Sequence, residues 1–409
     1  MRERLSAAYR RLDPTARREA WSAFAASRLI VLLGALLGTA VFTPGPRAQS
    51  GFGQIVHPFT SWHPLDGPFD FLISPFIRFD ASWYVLIAHE GYVDPGAQTE
   101  GLVQARPAFF PLYPLLMRAL GGFGSFGFAA LAGTLISLAS LLGALYLLHR
   151  LTELELGPGP ARATVRLIAF APVAYFFSAP YTESLFLLLS VGSLYAARRE
   201  RWALAGLLAA AASGTRNGGA LLLVPLALMY VAQCGWRPSP RMLWIALAPA
   251  GLVAYSAYLK LEVGDWQAWR HAQVHFGRPE TVNPFEGLRQ GVAATWDAVE
   301  GSAPDDLQVP ILLGFAFLVF AAVAVVGVVR NLPLAYGVYS LALLVPTLTV
   351  PPTDNPLTSY PRYTLVVFPL FMWLGLRCER AGLTDRVVLG FTCALALLTA
   401  AWASWQPLL

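Results

Sequence analysis

Long runs without a charged side chain constrain this chain more than any other feature. Ala119–Leu148, Met242–Leu259, Leu307–Val329, Asn331–Thr353 and Val387–Leu409 contain no Asp, Glu, Lys or Arg. Each approaches or exceeds the roughly 18 to 20 apolar residues that cross the hydrocarbon of a bilayer. In that medium a helix satisfies its own backbone N–H and C=O groups, which an open strand cannot do. The runs are continuously apolar instead of alternating, so the pattern predicts helices and not a β-barrel. Charged residues make up 13% of the 409 positions, against about 25% in an ordinary soluble domain. The reading is an all-α polytopic membrane protein.

The basic residues fix a topology. They gather at Arg2, Arg4, Arg10, Arg11, Arg17 and Arg18, at Arg150, Arg162 and Arg166, at Arg198, Arg199 and Arg201, at Arg237 and Arg241, at Arg330, and at Arg377, Arg380 and Arg386. These are short turns between apolar runs, and the positive-inside rule makes them cytoplasmic. The net charge of +5 is therefore explained by topology, and no nucleic-acid partner is expected. Crossings are expected near 21–43, 124–149, 163–179, 182–197, 202–215, 218–235, 241–261, 308–330, 332–351, 361–377 and 386–406, about eleven, with the N-terminus cytoplasmic and the C-terminus outside. Residues 1–20 form a cytoplasmic segment leading into an uncleaved first helix, and 21–409 form one integrated membrane domain. Within 202–235, the polar break Ser213-Gly214-Thr215-Arg216-Asn217-Gly218-Gly219 suits either a turn between two crossings or a re-entrant hairpin. Cys234, Cys378 and Cys393 stand singly, without the spacing of a disulfide framework or a zinc site.

Two long segments, 44–118 and 262–307, fall on the side away from the arginines and read as extracytoplasmic loops. The first carries Trp62, Trp83, Tyr84, Phe109, Phe110 and Tyr113, which suit helices lying in the membrane interface. It also holds Asp80, an acid among aromatics. A carboxylate in such a setting can act as a general base towards a hydroxyl. It can equally pair with Arg78 or cap a helix beginning near Ser82. His89 and Glu90 stand before Gly91 at an expected helix end, where assistance to Asp80 competes with a structural role. Arg106, in the rigid Arg106–Pro114 stretch, suits a phosphate or an interfacial anchor.

Three further stretches carry ionisable groups into apolar sequence. Tyr181 and Glu183 open a helix, where the macrodipole favours an anion and where lipid makes an unexplained carboxylate costly. Arg216 and Asn217 sit between glycines, suited to a phosphate headgroup or to a snorkelling cytoplasmic arginine. Tyr360, Arg362 and Tyr363 place an arginine between tyrosines at the outer face, suited to a lipid phosphate or to anchoring. No nucleotide-binding glycine loop, HExxH or paired outer-loop acids appear, so neither a nucleotide sugar nor a metal is expected.

Taken in order, RFDASWYVLIAHEGY, ARPAFFPLYPLL, SAPYTESLF, GTRNGG and YPRYTLVVFPLF resemble the PIG-V family of mannosyltransferases, over about Arg78 to Phe371. The chain departs from the usual pattern in having Phe79 where a Trp commonly precedes the Asp, and Thr215-Arg216-Asn217 where Arg-Ser-Asn is more familiar. The resemblance implies a GT-C glycosyltransferase fold. It implies a polyprenyl-phosphate-mannose donor used as substrate, a glycolipid or glycan acceptor, and an inverting, metal-independent transfer at the extracytoplasmic side. On it, Asp80 would be the general base, Arg362 would bind the donor phosphate, and Glu183, Arg216 and Asn217 would shape the cavity. A lipid-linked-sugar flippase or transporter would share the helices, the lipid groove and the arginines, but would not need the long aromatic outer loop. A single lysine, Lys260, hints at a GC-rich bacterial genome and an inner-membrane location.

Overall fold

The structure, a computed structural model, describes residues 13–42, 70–92, 104–121, 125–237, 239–278, 281–406 and 408. Arg2, Arg4, Arg10, Arg11 and Trp62 lie outside the described residues, as does much of the expected first outer loop. Among the described residues every regular element is helical. The longer ones are α1 (Pro14–Val41), α2 (Asp80–Glu90), α3 (Leu112–Gly121), α4 (Phe126–Leu156), α5 (Pro158–Ala169), α6 (Glu183–Arg198) and α7 (Trp202–Ser213). There follow α8 (Leu223–Cys234), α9 (Ala250–Glu262), α10 (Pro284–Glu300), α11 (Asp305–Asn331), α12 (Leu334–Leu344), α13 (Phe368–Arg380) and α14 (Thr384–Ala403).

Five helical stretches are long and apolar enough to span a bilayer: Pro14–Val41, Phe126–Leu156, Asn217–Cys234, Asp305–Asn331 and Thr384–Ala403. The chain is a multi-pass membrane protein. Several of the other expected crossings are built in pieces. The one at 163–179 stops at Ala169 and continues as a 3-10 turn, Ala174–Phe177. Those at 241–261 and 361–377 break before Pro249 and Pro369, because a proline lacks the N–H that would continue the ladder. The carbonyls freed by the first break are capped from α1. Arg28, buried, donates to Ala169 O at 3.0 Å, and to Ala174 O and Ser178 Oγ at 2.8 Å each. Within lipid a break of this kind requires such a partner.

The first helix starts where Asp13 accepts a hydrogen bond from Ala16 N at 2.8 Å, with Pro14 in the first turn. It packs on α14 through Gly34 and Gly38, the small-residue spacing that lets helix backbones touch. A Cβ at Gly38 would fall 2.2 Å from Ala400 O, so this crossing admits no side chain.

The turns rich in arginine meet at one end. Asp13 pairs with Arg150 at 3.2 Å, Glu19 with Arg162 at 3.1 Å, Asp385 with Arg166 at 2.7 Å, and Glu155 with Arg198. The opposite end holds α2, α3 and the start of α6. There the aromatics of the first outer loop are turned inward. Trp83, Tyr84, Phe109, Phe110 and Tyr113 are all buried. Trp83 stacks on Phe109 with ring centroids 5.5 Å apart, and Tyr84 meets Phe109 edge-on at 5.1 Å. Tyr255 of α9 donates to Pro107 O and Phe109 O. An interfacial role was the expectation for these rings. Their burial follows from α2 and the Arg106–Pro114 stretch packing on each other and on α9.

Candidate active site

Asp80 is the first residue of α2, and the backbone before it turns sharply. Phe79 has φ 52°, a value that side chains disfavour, and its ring packs 5.3 Å from Trp405. Ser359 and Trp405, each with φ 63°, share the anomaly. All three border one cavity. Strain of this kind costs on the order of 1–3 kcal/mol per residue and persists where the surroundings dictate it. Tyr181 fixes the turn: its hydroxyl donates to Arg78 O at 2.9 Å and accepts from Asp80 N at 3.1 Å.

The Asp80 carboxylate does not pair with Arg78. Arg78 instead caps the end of α14, donating through Nε to Ala403 O at 2.8 Å. The partner of Asp80 Oδ2 is Arg362 Nη1 at 2.5 Å, from a residue 282 positions away. Arg362 Nε lies 3.2 Å from Glu183 Oε1, and Arg216 Nη1 donates to the same oxygen at 3.2 Å. Glu183 is fully buried. A helix dipole stabilises an anion by at most about 2 kcal/mol, whereas an unpaired carboxylate in the interior costs several. The two arginines, and not capping alone, account for its presence.

The aromatic walls complete the arrangement. The Arg216 guanidinium lies 5.0 Å from the Tyr363 ring, and that of Arg362 lies 5.4 Å from Tyr181 and 5.5 Å from Tyr363. Arg216 reaches this place because the break between α7 and α8 lies at the same end as α2: Gly214 O accepts from Leu112 N at 3.0 Å. These contacts hold Arg216 inside the protein, so it does not snorkel. The break itself is tight. A Cβ on Gly219 would come within 2.3 Å of the backbone at Ala212 and Ser213.

The cavity measures about 1430 Å³ and is lined by Asp80, Tyr181, Arg216, Asn217, Arg362 and Tyr363 among the residues singled out from sequence. Glu183 lies buried behind its two arginines. Tyr360 is buried at the start of the short Tyr360–Leu365 helix and does not line the cavity. The structure gathers His89, Glu90 and Arg106 elsewhere. Arg106 pairs with Glu90 at 2.5 Å and donates to Gly91 O at 2.9 Å, while His89 stacks on Phe126. These contacts lock the end of α2 to the proline-rich stretch.

Sequence motifs do not point to several lining residues. Trp402 and Trp405 come from the chain's far end, and Trp269, Gln273 and Arg278 from the second outer loop. The one available signal was an arginine, Arg278, in a loop expected on the side where the positive-inside rule disfavours it. At the rim, His271 Nδ1 lies 2.6 Å from Asp265. The backbone N–H of Gln267, ahead of His271, holds the Asp265 carboxyl below its usual range.

Fold and site together define a multi-pass α-helical membrane protein with a carboxylate and arginines converging on one aromatic-walled cavity. No family model matches the chain. In sequence it is PIG-V-like. It is 29% identical over 216 residues to the GPI alpha-1,6-mannosyltransferase 2 of Mus musculus, a match covering 46% of this chain and 41% of the mouse protein. It is 30% identical over 172 residues to the protein of the same name from Cricetulus griseus, covering 40% of this chain and 32% of that one. The chain thus spans less than half the length of the curated relatives it matches. Among solved structures, the crystal structure of the Archaeoglobus fulgidus oligosaccharyltransferase in complex with zinc and sulfate aligns with 93% of this chain and 53% of its own. The TM-score is 0.40 and the identity 12%, too loose a likeness to define a shared fold.

Proposed function

We propose that the protein is a GT-C glycosyltransferase that moves mannose from a polyprenyl-phosphate-linked donor to a hydroxyl of a glycan or glycolipid acceptor. The transfer takes place at the extracytoplasmic face of a bacterial inner membrane. The observation that carries the reading is the meeting of Asp80 and Arg362 at one cavity, from two separate motifs of the PIG-V resemblance. The similarity to mannosyltransferases supports the sugar. The position of the cavity, at the end away from the arginine-rich turns, supports the side.

Asp80 has one carboxylate oxygen held and one open. Oδ2 is engaged by Arg362, so the orientation of the group is fixed, leaving Oδ1 to receive a proton. The acceptor O–H bond breaks towards Oδ1 as the acceptor oxygen bonds to the anomeric carbon. The bond from that carbon to the phosphate oxygen breaks, and its electron pair leaves with the lipid phosphate. Attack opposite the leaving group inverts the centre, so a β-linked donor gives an α-mannoside. Arginines beside the leaving oxygen stabilise the charge that develops there. The reading calls on neither a metal nor a nucleotide sugar.

The test is to reconstitute the purified chain in liposomes with polyprenyl-phosphate [3H]mannose and a mixed pool of glycan acceptors. A transferase consumes the donor and releases polyprenyl phosphate with a new glycosidic bond. Movement of intact donor across the bilayer without consumption would instead establish a flippase and end the proposal.

A further inference from the structure

Three arginines reach Tyr363, and only two of them are matched by acids. Arg216 and Arg362 share Glu183 and Asp80 between them. Arg278, from the second outer loop, touches the same tyrosine: its Nη1 lies 3.4 Å from Tyr363 Oη and 3.4 Å from Gln273 Oε1. Both are long contacts, and neither is to a carboxylate. Its Nε is buried and has no hydrogen-bond partner, and among the described residues no carboxylate pairs with it. A buried donor left unmade costs free energy, and the half-buried guanidinium that carries it lines the cavity.

The residue is nonetheless held firmly. It follows the 3-10 turn Ala272–Phe276 and a left-handed Gly277 with φ 69°. Its own N–H donates to Gln273 O at 3.2 Å, and Gly277 O accepts from Thr353 N at 2.9 Å. That bond ties the outer loop to the segment that leads into Arg362. The other charges on the cavity wall do not balance it. Asp306, Asp354 and Arg270 are exposed at the rim, where water screens them, and Arg270 already donates to Thr281 Oγ1 at 3.0 Å.

We infer that Arg278 is the anchor for the phosphodiester of the lipid-linked donor, and that Arg362 serves chiefly to hold Asp80. This rests on the donor class proposed above. A sugar-linked lipid phosphodiester carries one negative charge, which matches the single uncompensated guanidinium. Arg278 presents the planar fork that suits phosphate oxygens. When the anomeric carbon parts from the phosphate, the leaving group gains a second negative charge beside that fork. Arg362 already has Nη1 on Asp80 and Nε beside Glu183, whereas no carboxylate pairs with Arg278 among the described residues.

The experiment measures binding of polyprenyl phosphate, and of the unphosphorylated polyprenol of equal length, to the full chain in nanodiscs. Wild type is expected to prefer the phosphate. Arg278→Gln is expected to lose about 10- to 100-fold in affinity for polyprenyl phosphate, the range for one charged hydrogen-bond partner, with polyprenol binding unchanged. Arg278→Lys, which keeps the charge but not the fork, is expected to lie between. A wild type that binds both lipids equally would remove the donor class itself, and the inference with it. A phosphate-preferring wild type whose preference survives in Arg278→Gln would overturn the assignment of Arg278 alone. Because a variant can fail to fold, the wild-type chain supplies a second readout. Polyprenyl phosphate, but not polyprenol, should protect Arg278 from phenylglyoxal, with the modified site located by mass spectrometry. Equal labelling of Arg278 with both lipids would also overturn the assignment.

Discussion

Both ends of this molecule are built from arginine–carboxylate pairs, and they do different things. At the end where the arginine-rich turns gather, Arg162 is 58% exposed beside Glu19 and Arg166 33% exposed beside Asp385. At the other end Arg362 is 12% exposed and Glu183 not at all. Pairs in water gain little, because desolvation, screening and side-chain entropy nearly offset the attraction. Pairs out of water are costly to assemble and costlier to break. The first set belongs to the turns whose arginines the positive-inside rule would place on the cytoplasmic side. The second joins two carboxylates, Asp80 and Glu183, to the guanidinium groups of Arg216 and Arg362 beside one cavity. Sequence composition cannot separate the two sets, since arginine looks the same in both; the exposure of the arginines separates them.

That difference can be broken from either side. The largest effect on stability is expected for Glu183→Gln, which leaves Arg216 and Arg362 sharing one fewer acid. Thermal unfolding in detergent should show a loss of about 3–5 kcal/mol, and a loss under about 1 kcal/mol would mean that water reaches the pair. Next is Gly219→Val, which drives a side chain into the Ala212–Ser213 backbone. A cost of about 1–3 kcal/mol is expected. Because Arg216 lies three residues away, binding of polyprenyl phosphate should fall as well. Full binding at reduced stability would detach the glycine from the site. The smallest effect is expected at the exposed end, where Asp385→Asn, at a carboxylate 86% exposed, should change stability by about 1 kcal/mol or less. A change there as large as that of Glu183→Gln would erase the contrast between the ends.

Much of the architecture was legible in the sequence because a bilayer imposes it. Uncharged runs such as Leu307–Val329 and Val387–Leu409 became α11 and α14, with bounds shifted by a few residues. The breaks were harder to read. Pro249 and Pro369 lie inside crossings expected to run unbroken over 241–261 and 361–377, and the stop after Ala169 depends on Arg28, a residue in another helix that offers its carbonyls a donor. The aromatic loop was read with the wrong facing, since Trp83 and Phe109 have the composition of an interface and the packing of a core. Only three-dimensional neighbours decide between those. In the site, Asp80, Glu183, Arg216 and Arg362 were each visible as charges in unlikely surroundings, yet their mutual pairing was not, because their motifs are scattered through the chain. Arg278 stands in an acidic loop with no motif around it. Its significance lies in having no carboxylate partner among the described residues, which no linear pattern records.

The central claim is that Asp80 accepts the proton of the attacking hydroxyl. It is tested most directly by single-turnover transfer from polyprenyl-phosphate mannose, comparing wild type with Asp80→Asn in preparations that bind the donor equally. The account predicts a fall of about 10²- to 10⁴-fold in the rate of sugar transfer, the usual share of a general base, with donor affinity retained. An Asn variant that transfers mannose at the wild-type rate would contradict it.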